Sequence, residues 1–270
     1  MPSERAPLLS PALSRGDYAP AGPNDKRGPC PLINCLANHG YISRDGQNIP
    51  ARELNAAMEE VGLSKLVGTI FAQPIYNVHG DSRPGRLGFL ARFWFFLRNP
   101  WMMLGIFGMR KRGQEKDGQP VLNIDQLSLH NVVEHDVSLT RRDYLQKEGN
   151  CTPQPDLVHD LLACSKDGGK TITIDDLAEL RKRRLQKQLE DNPGLEYGAQ
   201  QHAVACGEVA LILACFGDGK SVRCDYMKAF FEEERLPSKE GWKKRWWWTL
   251  GLVELQRTVQ KVRASIGLDI

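Results

Sequence analysis

From Pro31 to the C-terminus, proline and glycine punctuate the chain at helix spacing, and this most restricts what it can fold into. Pro31 suits a first helical position, where the missing N–H is not needed, and Gly40 suits a stop, so a helix is predicted from about Pro31 to His39. Pro50 opens a second in PARELNAAMEEVGL, where Leu54, Ala57, Met58 and Val61 recur on one face. The same period returns over about Ser64 to Phe71, over about Asp125 to Glu134, and again from near Ser138. It continues through ITIDDLAELRKRRLQKQLED, with Asp175 as its expected cap, and through LEYGAQQHAVACGEVALILACFGDG to Gly217 or Gly219. Two more helices finish the chain. Strand patterns are scarce and no internal repeat is visible. The expected fold is all-α, one compact multi-helix domain over residues 22–270 behind a flexible Pro- and Ser-rich arm, 1–21.

With 270 residues, 41% of them hydrophobic, such a domain can fill a sizeable core. Lys and Arg number 36 against 33 Asp and Glu and are spread along the chain, so no nucleic-acid partner is expected. The seven cysteines are odd in number and form no CxxC pair, which predicts reduced thiols rather than a disulfide framework. The first 25 residues hold neither a continuous apolar core nor a small-residue cleavage site, so an intracellular location is expected.

One segment does not suit a plain helical bundle. LGFLARFWFFLRNPWMMLGIFGM, residues 87–109, is almost wholly apolar, yet Arg98 and Pro100 break it in the middle, which fits two short interfacial helices better than one span. KKRWWWTLGL, residues 243–252, sets three tryptophans beside three cations, a composition suited to a lipid headgroup boundary. Association with a membrane surface is one expectation; a buried hairpin and a tryptophan-rich core corner are the other.

Three stretches carry candidate chemistry. In GPCPLINCLANHGYISRDG, residues 28–46, Cys30 stands between two prolines at the mouth of a helix, where unpaired amides and the positive dipole end favour a thiolate. The amides of Leu32 and Ile33 are its natural donors, and such a sulfur is a nucleophile, a metal ligand or a small buried apolar group. In LSLHNVVEHDVSLTRRDY, residues 127–144, Glu134, His135 and Asp136 follow one another at steps of about 100° and cannot share a helix face. Glu134 and Ser138, four apart, offer two oxygens to a hard cation, while His135 turns away into a pocket with Asp136 able to orient its ring. In ACGEVALILACFG, Glu208 is the only charge between Ala203 and Phe216, costly to bury without a partner and hence a candidate acid or base.

Taken together, GPCP followed by Asn34 and LANHGYI, EHDVS with LTRRDY behind it, and a glutamate in a late apolar helix resemble the fungal haem-thiolate peroxidases, the family of chloroperoxidase and the short unspecific peroxygenases. The resemblance covers about residues 22–240. It implies an all-α domain enclosing haem b, with Cys30 as the axial thiolate and Leu32, Ile33 and Asn34 as its surroundings. It implies a Mg²⁺ or Mn²⁺ held by Glu134, Ser138 and the carbonyl of His135. It makes Glu208 the acid–base group, held by the His135 side chain with Asp136 behind it, and Glu196 the competing glutamate. The reaction expected is peroxygenation, in which hydrogen peroxide supplies oxygen to a small apolar substrate in a pocket lined by residues such as Val133 and Leu211. One-electron peroxidation, halogenation, and a membrane-associated haem protein without turnover are the alternatives.

Overall fold

Helices form where a periodic stretch begins on a cap or a proline. In a computed structural model, which describes residues 13–79, 108–146, 149–245 and 249–268, α1 (Pro31–Asn38) starts at its proline with Cys30 as N-cap and stops at His39 and Gly40. Next come α2 (Ala51–Met58) and α3 (Lys65–Ala72), the latter capped by the Ser64 hydroxyl, which accepts from the Val67 amide. A small antiparallel sheet then gathers β1 (Ile49–Pro50), β2 (Glu115–Lys116) and β3 (Gln119–Leu122), with β3 in the middle.

The second half is longer-helical: α4 (Pro155–Ala163), β4 (Thr171–Thr173), α5 (Ile174–Asp191), α6 (Ala199–Phe216), β5 (Ser221–Arg223), α7 (Cys224–Phe231) and α8 (Leu252–Ile266). α6 is apolar nearly all round, as a helix buried on every side must be. Its Ala205, Cys206, Val209, Ala210 and Leu213 are fully buried, and α8 packs across both α6 and α5. Among the described residues α6 is the one helix long and apolar enough to cross a bilayer, but it forms the centre of the core. The molecule is all-α apart from these short strands, a single domain, and all seven cysteines are free thiols.

Although no repeat shows in the sequence, α4–β4–α5 and α6–β5–α7 are built alike and clasp each other. Their strands pair about Ile172 and Val222, and Ile174 N donates to Lys220 O just as Cys224 N donates to Lys170 O, each at 2.9 Å. Asp167 and Asp218 occupy matching places, each accepting from the next turn's amides. Gly217 closes the second loop so tightly that a Cβ there would lie 1.9 Å from the Ser221 carbonyl oxygen. Gly217→Ala should therefore lower unfolding free energy by about 1–3 kcal/mol in urea titration; an unchanged midpoint would show that the clasp yields freely.

Three expectations are corrected. No long helix covers 125–134: a 3-10 turn, Ile124–Ser128, takes its place, held by the Asn123 and Gln126 capping box. No helix begins near Ser138 either. Asn131 and Val137 adopt positive φ, 57° and 63°, and the carboxylates of Asp136 and Asp143 take the amides of Tyr144 and Val137, offering the backbone partners that a helix would otherwise supply. The cap of α5 is Thr173 rather than Asp175, in a reciprocal box with Asp176. Residues 14–19 are hydrogen-bonded to the domain: Gly16 N and Ala19 N donate to His39 O and Asn38 O, Tyr18 Oη to Glu233 O, and the Arg44 guanidinium to Ser14 O and Asp17 O. Of the two stretches read as interfacial, residues 87–107 of the first and Trp246, Trp247 and Trp248 of the second lie outside the described residues.

Candidate active site

Gly28 opens the site. A Cβ there would stand 2.6 Å from the Ile124 carbonyl oxygen, so glycine lets the GPCP turn lie flat against that backbone. Asn34, wholly buried one turn into α1, takes the Gly28 N–H on Oδ1 and donates Nδ2 to the Gly28 carbonyl at 2.8 Å. It thus braces the turn from behind, and it is not part of the cavity wall that Pro29, Cys30, Pro31, Leu32 and Ile33 form. The Cys30 thiol feels opposing influences. Burial raises its pKa to about 11, with the Glu208 carboxylate pushing the same way, while the Ile33 and Leu32 amides and the Arg141 cation pull it down. The helix end alone therefore does not make a thiolate.

The cavity beside Cys30 has a volume of about 200 Å³. Its walls are mainly apolar, with Leu54, Met58, Phe71, Ile75, Phe216 and Phe231 among them, and both Val133 and Leu211 line it as expected. Polar groups also line it, among them Glu134, His135, Ser138, Arg141 and Glu208.

Glu208 reaches this space from the middle of α6. About half of its side-chain surface is open, 51%, although protein surrounds it; the open part is cavity wall. His135 Nε2 lies 3.4 Å from Glu208 Oε2, and the other ring nitrogen donates to the Asp136 carbonyl oxygen at 2.6 Å. The histidine is thus oriented by the main chain of Asp136, whose carboxylate instead accepts from the amides of Tyr144 and Glu196. Burial works against both charges, but each holds the other: His135 is raised by facing Glu208, and Glu208 is lowered by His135 and by the Arg181 and Arg141 cations. Glu196 points elsewhere. Its carboxylate meets Asn131 Nδ2, its side chain is 65% exposed, and it does not line the cavity.

Glu134 and Ser138 both line the cavity, although the chain between them is not helical. Glu134 Oε2 accepts from His130 Nδ1 at 2.9 Å, and its buried Oε1 has no partner. His130, stacked on Tyr144, brings a third candidate ligand to a group with Glu134 and Asp136. Sequence reasoning missed His130, four residues before Glu134 in the same stretch, and Arg141, inside LTRRDY.

A chain whose helices surround a mainly apolar cavity, with a sulfur held by two amides and a paired glutamate on its wall, invites comparison with known enzymes. The profile of "Peroxidase, family 2" matches residues 16–246. The chain belongs to this peroxidase family. Proteins similar to it include an aromatic peroxygenase of Cyclocybe aegerita, 26% identical over 82% of this chain, and one of Coprinellus radians, 25% identical over 82%. A chloroperoxidase of Leptoxyphium fumago is 27% identical over 83% of it. The chain spans 56% of the length of the first and third of these and 80% of the second. Membership in family 2 implies haem, and the chemistry of the residues present fits it: a mainly apolar cavity, a cysteine sulfur in its wall facing amide donors, and an orphaned carboxylate oxygen on Glu134 suited to a cation.

Proposed function

We propose that this family 2 peroxidase is a haem-thiolate peroxygenase that uses hydrogen peroxide to oxygenate small apolar molecules. The observation that carries the reading is that Cys30 and Glu208 meet the same apolar cavity, the sulfur braced by amides and the carboxylate by His135. When bound, haem with a thiolate ligand supplies redox chemistry that favours cleavage of the peroxide O–O bond. Cys30 would hold its iron. Glu208, kept ionised by His135 and Arg181, would take a proton from hydrogen peroxide and return it to the departing oxygen as water forms. His135 would hold Glu208 toward the cavity, with its own ring fixed by the Asp136 carbonyl. Val133, Leu211 and Ile212 would exclude water and take an apolar substrate.

Glu134, Ser138 and the carbonyl of His135 would hold a Mg²⁺ or Mn²⁺ at the edge of the site, where the unpartnered Glu134 oxygen needs a positive charge. Glu134→Gln should lower the divalent cation content of purified protein about tenfold or more, measured by elemental analysis; full occupancy in the variant would move the ligand elsewhere.

The test of the whole reading is a ferrous carbon monoxide spectrum followed by product analysis with peroxide, with and without halide. A thiolate-type Soret band and oxygenated product formed without halide support it. A halogenated product only would make the protein a haloperoxidase, and the absence of any peroxide-dependent product would leave a haem-binding protein.

A further inference from the structure

A buried ion pair, whose Arg141 end lines the cavity, has no part in the steps above. Arg141 is 1% exposed, and its NH2 nitrogen donates to Glu234 Oε1, the same oxygen that receives Asn34 Nδ2 at 2.8 Å. Asn34 in turn brackets both backbone groups of Gly28, two residues before Cys30. A continuous set of hydrogen bonds therefore runs from the loop that bears Glu134, His135 and Ser138, through Arg141 and Glu234, to the turn that bears the sulfur.

Glu234 holds its place at a conformational cost: it is a non-glycine residue at φ 47°. Asn38 Nδ2 fixes its carbonyl, and His39 Nε2 accepts from Leu236 N, so α1 grips this segment through Asn34, Asn38 and His39 together. A buried ion pair is often no more stabilising than apolar side chains of the same volume, so stability alone gives no reason for charges here. Position gives one. The Arg141 cation acts on the Cys30 sulfur as well as on Glu234, and its Nε has no partner of its own.

We propose that Arg141 and Glu234 are positioning residues that set how strongly Cys30 donates to iron, Arg141 by balancing the charge on sulfur and Glu234 by fixing and partly neutralising Arg141. The proposal rests on the haem-thiolate reading. Removing a cation near the iron favours its more oxidised state, and removing an anion favours the reduced one. Arg141→Met should therefore move the ferric–ferrous midpoint potential of the haem-loaded protein to more negative values, and Glu234→Gln, whose amide oxygen can still accept from Asn34, to more positive ones. Arg141→Lys should stay near the parent, and Arg141→Met combined with Glu234→Gln should fall between the two single variants.

The measurement is a spectroelectrochemical titration of each holoprotein, with the ferrous carbon monoxide band recorded beside it. Shifts of opposite sign bear the proposal out; shifts of the same sign, or none in proteins that retain the thiolate band, overturn it and leave the pair a structural brace. If Arg141→Met does not load haem, Glu234→Gln decides alone, a positive shift supporting the proposal and an unmoved potential refuting it. A parent protein without a thiolate band would instead refute the haem-thiolate reading itself, which the variants do not test.

Discussion

Cys30→Ala should abolish the thiolate-type ferrous carbon monoxide band and with it all peroxide-driven oxygenation, while the protein remains folded. The size of the effect follows from the site's construction. Only this sulfur combines a place in the cavity wall with two facing amides at the start of a helix. Cys35, five residues along α1, is wholly buried among core side chains and does not line the cavity, so Cys35→Ala should keep the band. Cys215 does line it, but from the last turn of α6, and burial raises its thiol to about 12. Survival of the band in Cys30→Ala with loss in Cys215→Ala would move the axial ligand to α6 and undo the reading of the GPCP turn.

Glu208→Gln should retain haem and lose at least about a hundredfold in peroxide-driven turnover, the usual scale for removing a positioned acid–base group. Glutamine keeps the shape and the 3.4 Å approach of His135 but cannot carry a proton between the two oxygens. The paired control is Glu196→Gln. Its carboxylate lies outside the cavity with Asn131 and His130, so its loss should leave turnover near the parent level. His135→Ala should also lower turnover, by removing the partner that holds Glu208 ionised, though it disturbs the neighbouring Glu134 as well. Stopped-flow measurement of peroxide consumption would separate these cases; near-parent turnover in Glu208→Gln would remove this residue from the chemistry.

Apart from α4, Pro155–Ala163, which was not anticipated, the helices of both halves were legible because their signals are local. Pro31, Pro50 and Ser64 at starts, and Gly40 and Gly217 at stops, decide the backbone within a few residues. Glu208 was legible for the opposite reason, as a charge in a run where nothing local could accommodate it. The stretch around 125–144 was misread because its apolar spacing imitates a helix, while Asp136 and Asp143 capture amides and Val137 turns the chain the other way. The backbone role of Asp136 toward His135 has no sequence signature, since every residue carries a carbonyl. Arg141 and Glu234 are 93 residues apart, and nothing near either one names the other. The clasp of β4 and β5 escaped notice because its likeness lies in hydrogen bonds more than in residues.

The tethered segment at residues 14–19 changes what the stability of α1 means. Eight residues make too few turns for a helix to persist by itself in water. Its last turn is instead closed from outside, by Gly16 and Ala19 on the carbonyls of His39 and Asn38 and by His39 on Leu236. Amide exchange within α1 should accordingly follow the detachment of that segment as one cooperative unit, rather than fraying from the helix end. The lifetime of the turn that presents Cys30 is then governed by residues far from the sulfur, at the edge of the molecule.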